Sequence, residues 1–115
     1  MNDLAGESYC YLTTTGRVSD EPREIEIWFG LDGSTLYMLS GGGDRSDWVK
    51  NLIHEPRVSV RIGERTFEGT ARVVSDSEED RRARTLLFEK YSPGYSGDLE
   101  DWRERSLPIA VDLRT

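Results

Sequence analysis

Cysteine and histidine are almost missing from this sequence: Cys10 and His54 are the only ones of their kinds. A lone cysteine cannot form an intrachain disulfide, and one of each excludes a Cys/His metal constellation. Cys10 falls in a stretch of strand character, where it is expected to be a small buried hydrophobe. Long apolar runs are also missing. None approaches the roughly 18 residues that a membrane-spanning helix needs. Met1-Asn2-Asp3-Leu4 has neither the charged nor the apolar region of a secretory signal. A cytoplasmic protein without a membrane span is the expectation. Positive charge is scarce, with 15 Lys and Arg against 22 Asp and Glu and a net charge of -7. Such a chain repels nucleic-acid phosphates and anionic membrane surfaces, so neither is an expected partner. The basic residues can still gather at one anion site. Apolar residues make up only 36% of the 115. One domain over residues 1–115 with a modest core follows, and pairing with a second copy in a homodimer would add buried surface.

What the sequence does have is short alternating segments. Residues 9–15, YCYLTTT, are rich in aromatic and β-branched residues and predict a strand. After the turn-forming GRVSDEP, residues 23–30 alternate strictly. Ile25, Ile27 and Phe29 face one way and Glu24, Glu26 and Trp28 the other, which predicts one strand over 23–30. Asp32-Gly33 signals a hairpin, with TLYMLS (35–40) as its return strand. A helix capped by Ser46 or Asp44 then places Trp48, Val49, Leu52 and Ile53 on one face and stops at Pro56. RVSVRI (57–62) and FEGTARVVS (67–75) are the next strands, and Gly69 suggests a bulge or bend. Ser75, Asp76 or Ser77 caps a second helix lined by Ala83, Leu86, Leu87 and Tyr91. A short helix around Leu99 and Trp102 and a strand over 107–113 complete the chain. About six short antiparallel strands around one core tend to close. The expected fold is mainly β (α+β), a six- to seven-stranded antiparallel barrel with two or three helices.

Chemistry is harder to place. His54, at a helix end beside Glu55-Pro56, has no nucleophile elbow near it, and Glu24 and Glu26 are an exposed strand face before they are a catalytic pair. If the chain is an enzyme, a bound cofactor does the chemistry. The run Gly41-Gly42-Gly43 follows an apolar strand and precedes a helix. Glycines let backbone approach a ligand, and a strand–loop–helix junction favours anions. Ser40 and Ser46 add hydroxyls and Arg45 a charge. The run lacks both the P-loop and the Rossmann pattern, so a plain connector and a phosphate cradle both remain open. A second turn, TTTGRVSDEPRE (13–24), gathers hydroxyls with Arg17 and Arg23, groups that suit a phosphate or carboxylate.

Taken together, LTTTGRVSDEPRE, LYMLSGGG and DWVKNLIHEPRVSVRI resemble the deazaflavin-dependent nitroreductase family of the flavin-type (pyridoxamine-phosphate-oxidase-like) split β-barrels. The likeness runs from Tyr9 to about Ile62 and more loosely through the tail. It implies a dimeric split barrel that binds coenzyme F-420, a deazaflavin, and passes hydride to an electron-poor small molecule such as a quinone, enone or nitroaromatic. FMN on the same fold, or a non-catalytic flavin or deazaflavin carrier, is the alternative, and relatives in the superfamily bind haem. By motif, Thr14, Arg17 and Arg23 would lie near the cofactor's polar tail. Ser40, Gly41, Gly42 and Gly43 would hug its phosphate side, with Arg45 and Ser46 beside them. Trp48, Asn51 and Leu52 would anchor the helix behind that loop. Trp28 would approach the ring or the acceptor, and Tyr91 and Tyr95 would line the acceptor pocket. The sequence departs from the family at Gly41, where a cation is usual, and at Asp20, where glycine is usual. It also starts almost at its first strand, so an N-terminal helix over the pocket is not expected and the acceptor site would be open or closed by a partner subunit.

Overall fold

A computed structural model describes residues 2–114. Seven strands form one antiparallel sheet: β1 (Cys10–Thr15), β2 (Pro22–Ile27), β3 (Gly30–Asp32), β4 (Thr35–Ser40), β5 (Arg57–Ile62), β6 (Arg65–Val73) and β7 (Leu107–Leu113). Their order across the sheet is β2-β1-β5-β6-β7-β4-β3. Three helices, α1 (Asp47–His54), α2 (Ser77–Tyr91) and α3 (Glu100–Arg105), pack around it.

The chain connection forces the sheet to roll up. β2 and β3 are the two edges of the sheet, yet only Trp28 and Phe29 separate them. Ile27 to Gly30 is three residues, a reach of at most about 11 Å. Seven flat strands would hold their edges about 29 Å apart. The sheet therefore curls into a split barrel whose seam is crossed by Trp28-Phe29. This corrects the expected single strand over 23–30. The chain leaves one edge at Ile27 and joins the other at Gly30, and the alternation between them is coincidental. The Asp32-Gly33 hairpin forms as expected, with Asp32 opposite Thr35 and Gly33 at φ 62°.

The interior takes one residue in two from each strand. Cys10 and Leu12, Leu36 and Met38, Val58, Val60 and Ile62, and Ile109 and Val111 form one core, capped at one end by Val49 and Leu52 of α1. β4 is buried on both faces, because Tyr37 and Leu39 point outward under α2 with Val74, Ala83, Leu87 and Ala110. Cys10 is fully buried, and burial pushes its thiol up to about 12. Gly69 makes no bulge. β6 pairs in unbroken register with β5 and β7, and a Cβ at Gly69 would meet Val111 Cγ1 at 2.6 Å and the Asp112 carbonyl at 2.9 Å. Glycine is there for close approach. Ile53 departs from its expected face and is 56% exposed. Counting 100° per residue from Trp48, Asn51, Leu52 and Val49 span the buried arc and Ile53 falls beyond it. Residues 2–6 form a 3-10 helix ahead of β1 that seats Leu4 in the core.

Candidate functional site

The β1–β2 turn and α1 enclose a cavity of about 340 Å³ lined by Thr14, Arg17, Ser19, Arg23, Trp48 and Asn51 among others. The buried face of α1 carries Asn51 into it, only 5% exposed. The Asn51 side-chain carbonyl accepts from the Arg17 backbone N–H at 3.2 Å and from the Arg17 guanidinium at 2.8 Å. Its amide donates to Thr14 Oγ1 at 3.2 Å. Arg17 also reaches Asp47 Oδ1 at 3.2 Å, while Arg23 donates to Ser19 Oγ at 3.2 Å. Strand alternation puts Thr14 inside with Cys10 and Leu12; Thr13 and Thr15 turn to a different groove. Two details explain the turn's sequence. A Cβ on Gly16 would meet Ser19 Oγ at 2.8 Å and the Glu21 carbonyl at 3.2 Å. Asp20 sits at φ 60°, a left-handed position that glycine fills best and Asp tolerates, which accounts for the glycine usual there.

The glycine run forms an exposed lip ahead of α1 and borders a different cavity through Gly41. Ser40, 1% exposed, donates its hydroxyl to the Gly43 carbonyl at 2.9 Å and meets Ser46 Oγ at 3.0 Å. The two serines thus close the loop on itself. Ser46 occupies the N-cap of α1 as expected, but its side chain makes no cap bond. Gly43, at φ 64°, opens a 3-10 turn over Gly43–Arg45. A Cβ on Gly42 would run into the Ser46 hydroxyl. Gly41 and Gly42 are exposed, as is Arg45. Among the described residues, the Arg45 guanidinium has no hydrogen-bond or ion-pair partner.

The third part of the site stands at the barrel seam. Trp28 stacks on Tyr91 with ring centroids 4.2 Å apart and 3° between planes. Trp102 and Tyr95 meet Trp28 edge-on at 5.4 and 6.0 Å. Because Phe29 crosses between two unpaired sheet edges, its backbone needs other partners. The Tyr91 hydroxyl accepts from the Phe29 N–H at 3.0 Å and lies 3.0 Å from the Phe29 carbonyl and 2.9 Å from that of Ser8, to which it can donate. Burial pushes this phenol up to about 12, so it stays protonated. The Tyr95 hydroxyl has no partner among the described residues. Trp28, Tyr91 and Tyr95 line a cavity of about 380 Å³, together with Lys90 and Tyr9. Gly41 joins Trp28 and Tyr95 around a neighbouring cavity of about 620 Å³. Of the residues singled out from sequence, Thr14, Arg17, Arg23, Trp48 and Asn51 come together at one cavity. Trp28, Tyr91 and Tyr95 come together at another, and Ser40, Gly42, Gly43, Arg45 and Ser46 form the loop between strand and helix. Asp47 beside Arg17 and Lys90 beside Tyr91 are polar groups at these cavities that carried no sequence signal. Each sits in a charge-rich helical run that looks like a solvated face.

The described residues contain no cluster able to hold a metal ion and no helix long and apolar enough to cross a membrane. Comparison with known proteins gives concordant results. The F420H(2)-dependent quinone reductase of Mycobacterium tuberculosis is 28% identical over 106 residues, covering 90% of this chain and 71% of that protein. A solved F420-H2 dependent reductase superposes with TM-score 0.71 at 24% identity, over 93% of this chain and 94% of the other. A structure described as a domain-swapped dimer gives TM-score 0.73 at 24% identity, over 93% and 80%. These two structures share the fold. The sequence model of the family described as F420H(2)-dependent quinone reductase matches residues 2–114, and the chain accordingly belongs to that family.

Proposed function

We propose that this reductase takes hydride from reduced coenzyme F-420 and delivers it to a quinone or a similarly electron-poor organic molecule, acting as a cytoplasmic homodimer. F-420 dependence comes with the family; the acceptor, the site residues and the assembly are the proposal. The observation that carries the site is the bond between Arg17 and Asn51, which lie 34 residues apart. It joins the T-x-x-R turn to the W-x-x-N helix and leaves a cavity between them.

The residues present suit a flat ring with a phosphate-bearing tail. An anionic tail needs cations that are not already neutralised. Arg45 is exposed and unpartnered, and Arg23 holds only a serine hydroxyl. Arg17 is shared between a neutral amide and one exposed carboxylate. Gly41 has open space where a Cβ would stand, so backbone can approach the ligand closely. In this reading Arg45 supplies the charge that Gly41 lacks. When bound, reduced F-420 supplies a hydride and, on oxidation, one proton to solvent. The chain's own work is to hold the tail with Arg17, Arg23 and Arg45, to fix the hairpin through Asn51, and to offer the acceptor an aromatic wall at Trp28. The test is anaerobic mixing of the protein with reduced F-420 and a naphthoquinone. Protein-dependent return of the oxidised deazaflavin absorbance is expected. No acceleration over buffer with any member of a quinone, enone and nitroaromatic panel contradicts the proposal.

A further inference from the structure

The aromatic cavity at the seam contains one cation. Lys90, in the last turn of α2, is half-buried there with Trp28, Tyr91, Tyr95 and Tyr9. Its ammonium donates to the Phe29 carbonyl at 2.9 Å and lies 3.7 Å from the centroid of the Phe29 ring. Those contacts fix the position of the nitrogen and leave it with further N–H donors. The Tyr91 hydroxyl beside it is already committed to backbone, and Tyr91 cannot readily give up its proton. No carboxylate forms an ion pair with Lys90 among the described residues. The charged and titratable groups acting on it are Glu7 from the N-terminal segment, the buried Cys10 thiol of β1 and Tyr91 on its own helix. Tyr9 and Tyr95 border the same cavity.

We propose that the Lys90 ammonium is the catalytic residue that meets the acceptor: it stabilises the oxygen anion formed as hydride arrives and gives that oxygen its proton. This rests on the reductase reading above. Reduction of a quinone by hydride adds one hydrogen with both electrons and leaves one oxygen negative. A fixed, half-buried ammonium beside aromatic rings stabilises that charge better than bulk water does. The Lys90 N–H bond then breaks, the O–H bond forms, and hydroquinone leaves. The neutral amine recovers a proton from solvent, which has gained one from the cofactor's oxidation. Burial lowers the Lys90 pKa, which makes it a better proton donor than a free lysine.

The test uses 4-nitrophenol, a phenol whose anion is yellow and stands in for the hydroquinone anion, added to the protein without cofactor. In wild type, binding should lower the apparent pKa of the nitrophenol by about one unit, a tenfold shift toward phenolate. Lys90→Gln keeps a donor for the Phe29 carbonyl but loses the charge, and should abolish the shift. Lys90→Met should do the same if it folds. F-420 binding, followed by fluorescence, should be the same in wild type and Lys90→Gln. No shift in wild type, or an equal shift in Lys90→Gln, overturns the assignment. Failure of F-420 to bind wild type would instead overturn the reductase reading and leaves the nitrophenol result to be judged alone.

Discussion

Arg45 is the residue on which the proposed anion site turns. It is exposed and unpartnered among the described residues, so its charge is available, and water and salt both screen it. Arg45→Ala should weaken F-420 binding about fivefold at low ionic strength, a loss of the size an exposed charge pair gives. The loss should shrink toward nothing in high salt, as fluorescence titrations at two salt concentrations will show. An equal loss at both would place Arg45 in a packing role. Arg17 and Asn51 differ from Arg45, because their polar atoms already bind each other across the turn. The residues at this corner were legible from the motifs, but their bonding was not. Nothing in the spacing of TTTGRVS and DWVKN says that one asparagine carbonyl serves both a backbone N–H and a guanidinium. Lys90 stayed hidden for another reason. Its environment is made by Phe29 and Tyr9, far away in sequence, and a lysine late in an exposed helix has a sufficient local explanation in the helix dipole.

At the scale of elements, α2 is tied to the sheet by charge as well as by its apolar face. Arg72 of β6 donates to both Glu79 oxygens at 2.7 and 2.8 Å and to Asp112 of β7 at 2.8 Å, and the Tyr37 hydroxyl donates to Glu79 at 2.7 Å. The Arg72 guanidinium, then Tyr37, holds the Glu79 carboxyl at about 2, below its ordinary 4.5. A carboxylate whose pKa is depressed by folding stabilises the fold fully above the unfolded value, and that stability fades as pH falls through the folded value. The window here is between about pH 4.5 and 2. Arg72 is 40% exposed, so solvent screening limits the contribution. Glu79→Gln should cost about 1 kcal/mol at neutral pH, and denaturant unfolding of the two proteins should converge as pH drops through that window. A cost unchanged at pH 2–3 would mean that charge is not the tie. The helices were legible because capping and amphipathic spacing are local; Asp76 does accept from the Glu79 N–H at 2.9 Å. The break between β2 and β3 was not legible. Period-two alternation continues through Trp28 and Phe29, and only the sheet order shows that the two residues cross the seam.

For the whole molecule, that seam decides where chemistry can sit. A sheet rolled until its edges meet leaves a gap, and the gap is filled by Trp28, Tyr91, Tyr95 and Trp102 rather than by a ladder of hydrogen bonds. The cavity at Arg17 and the aromatic cavity at Trp28 are separate, with the glycine lip bordering the aromatic side through Gly41. A barrel was legible from short alternating strands, and its family from three motifs in order. The way β2 and β3 meet, which puts the aromatic wall in place, came only from the fold. The central claim is that this arrangement holds coenzyme F-420. The most direct measurement is a side-by-side fluorescence titration of the purified protein with F-420 and FMN. The account predicts saturable F-420 binding at least about tenfold tighter than FMN, a difference of roughly 1.4 kcal/mol. Tighter binding of FMN, or no binding of F-420, would contradict it.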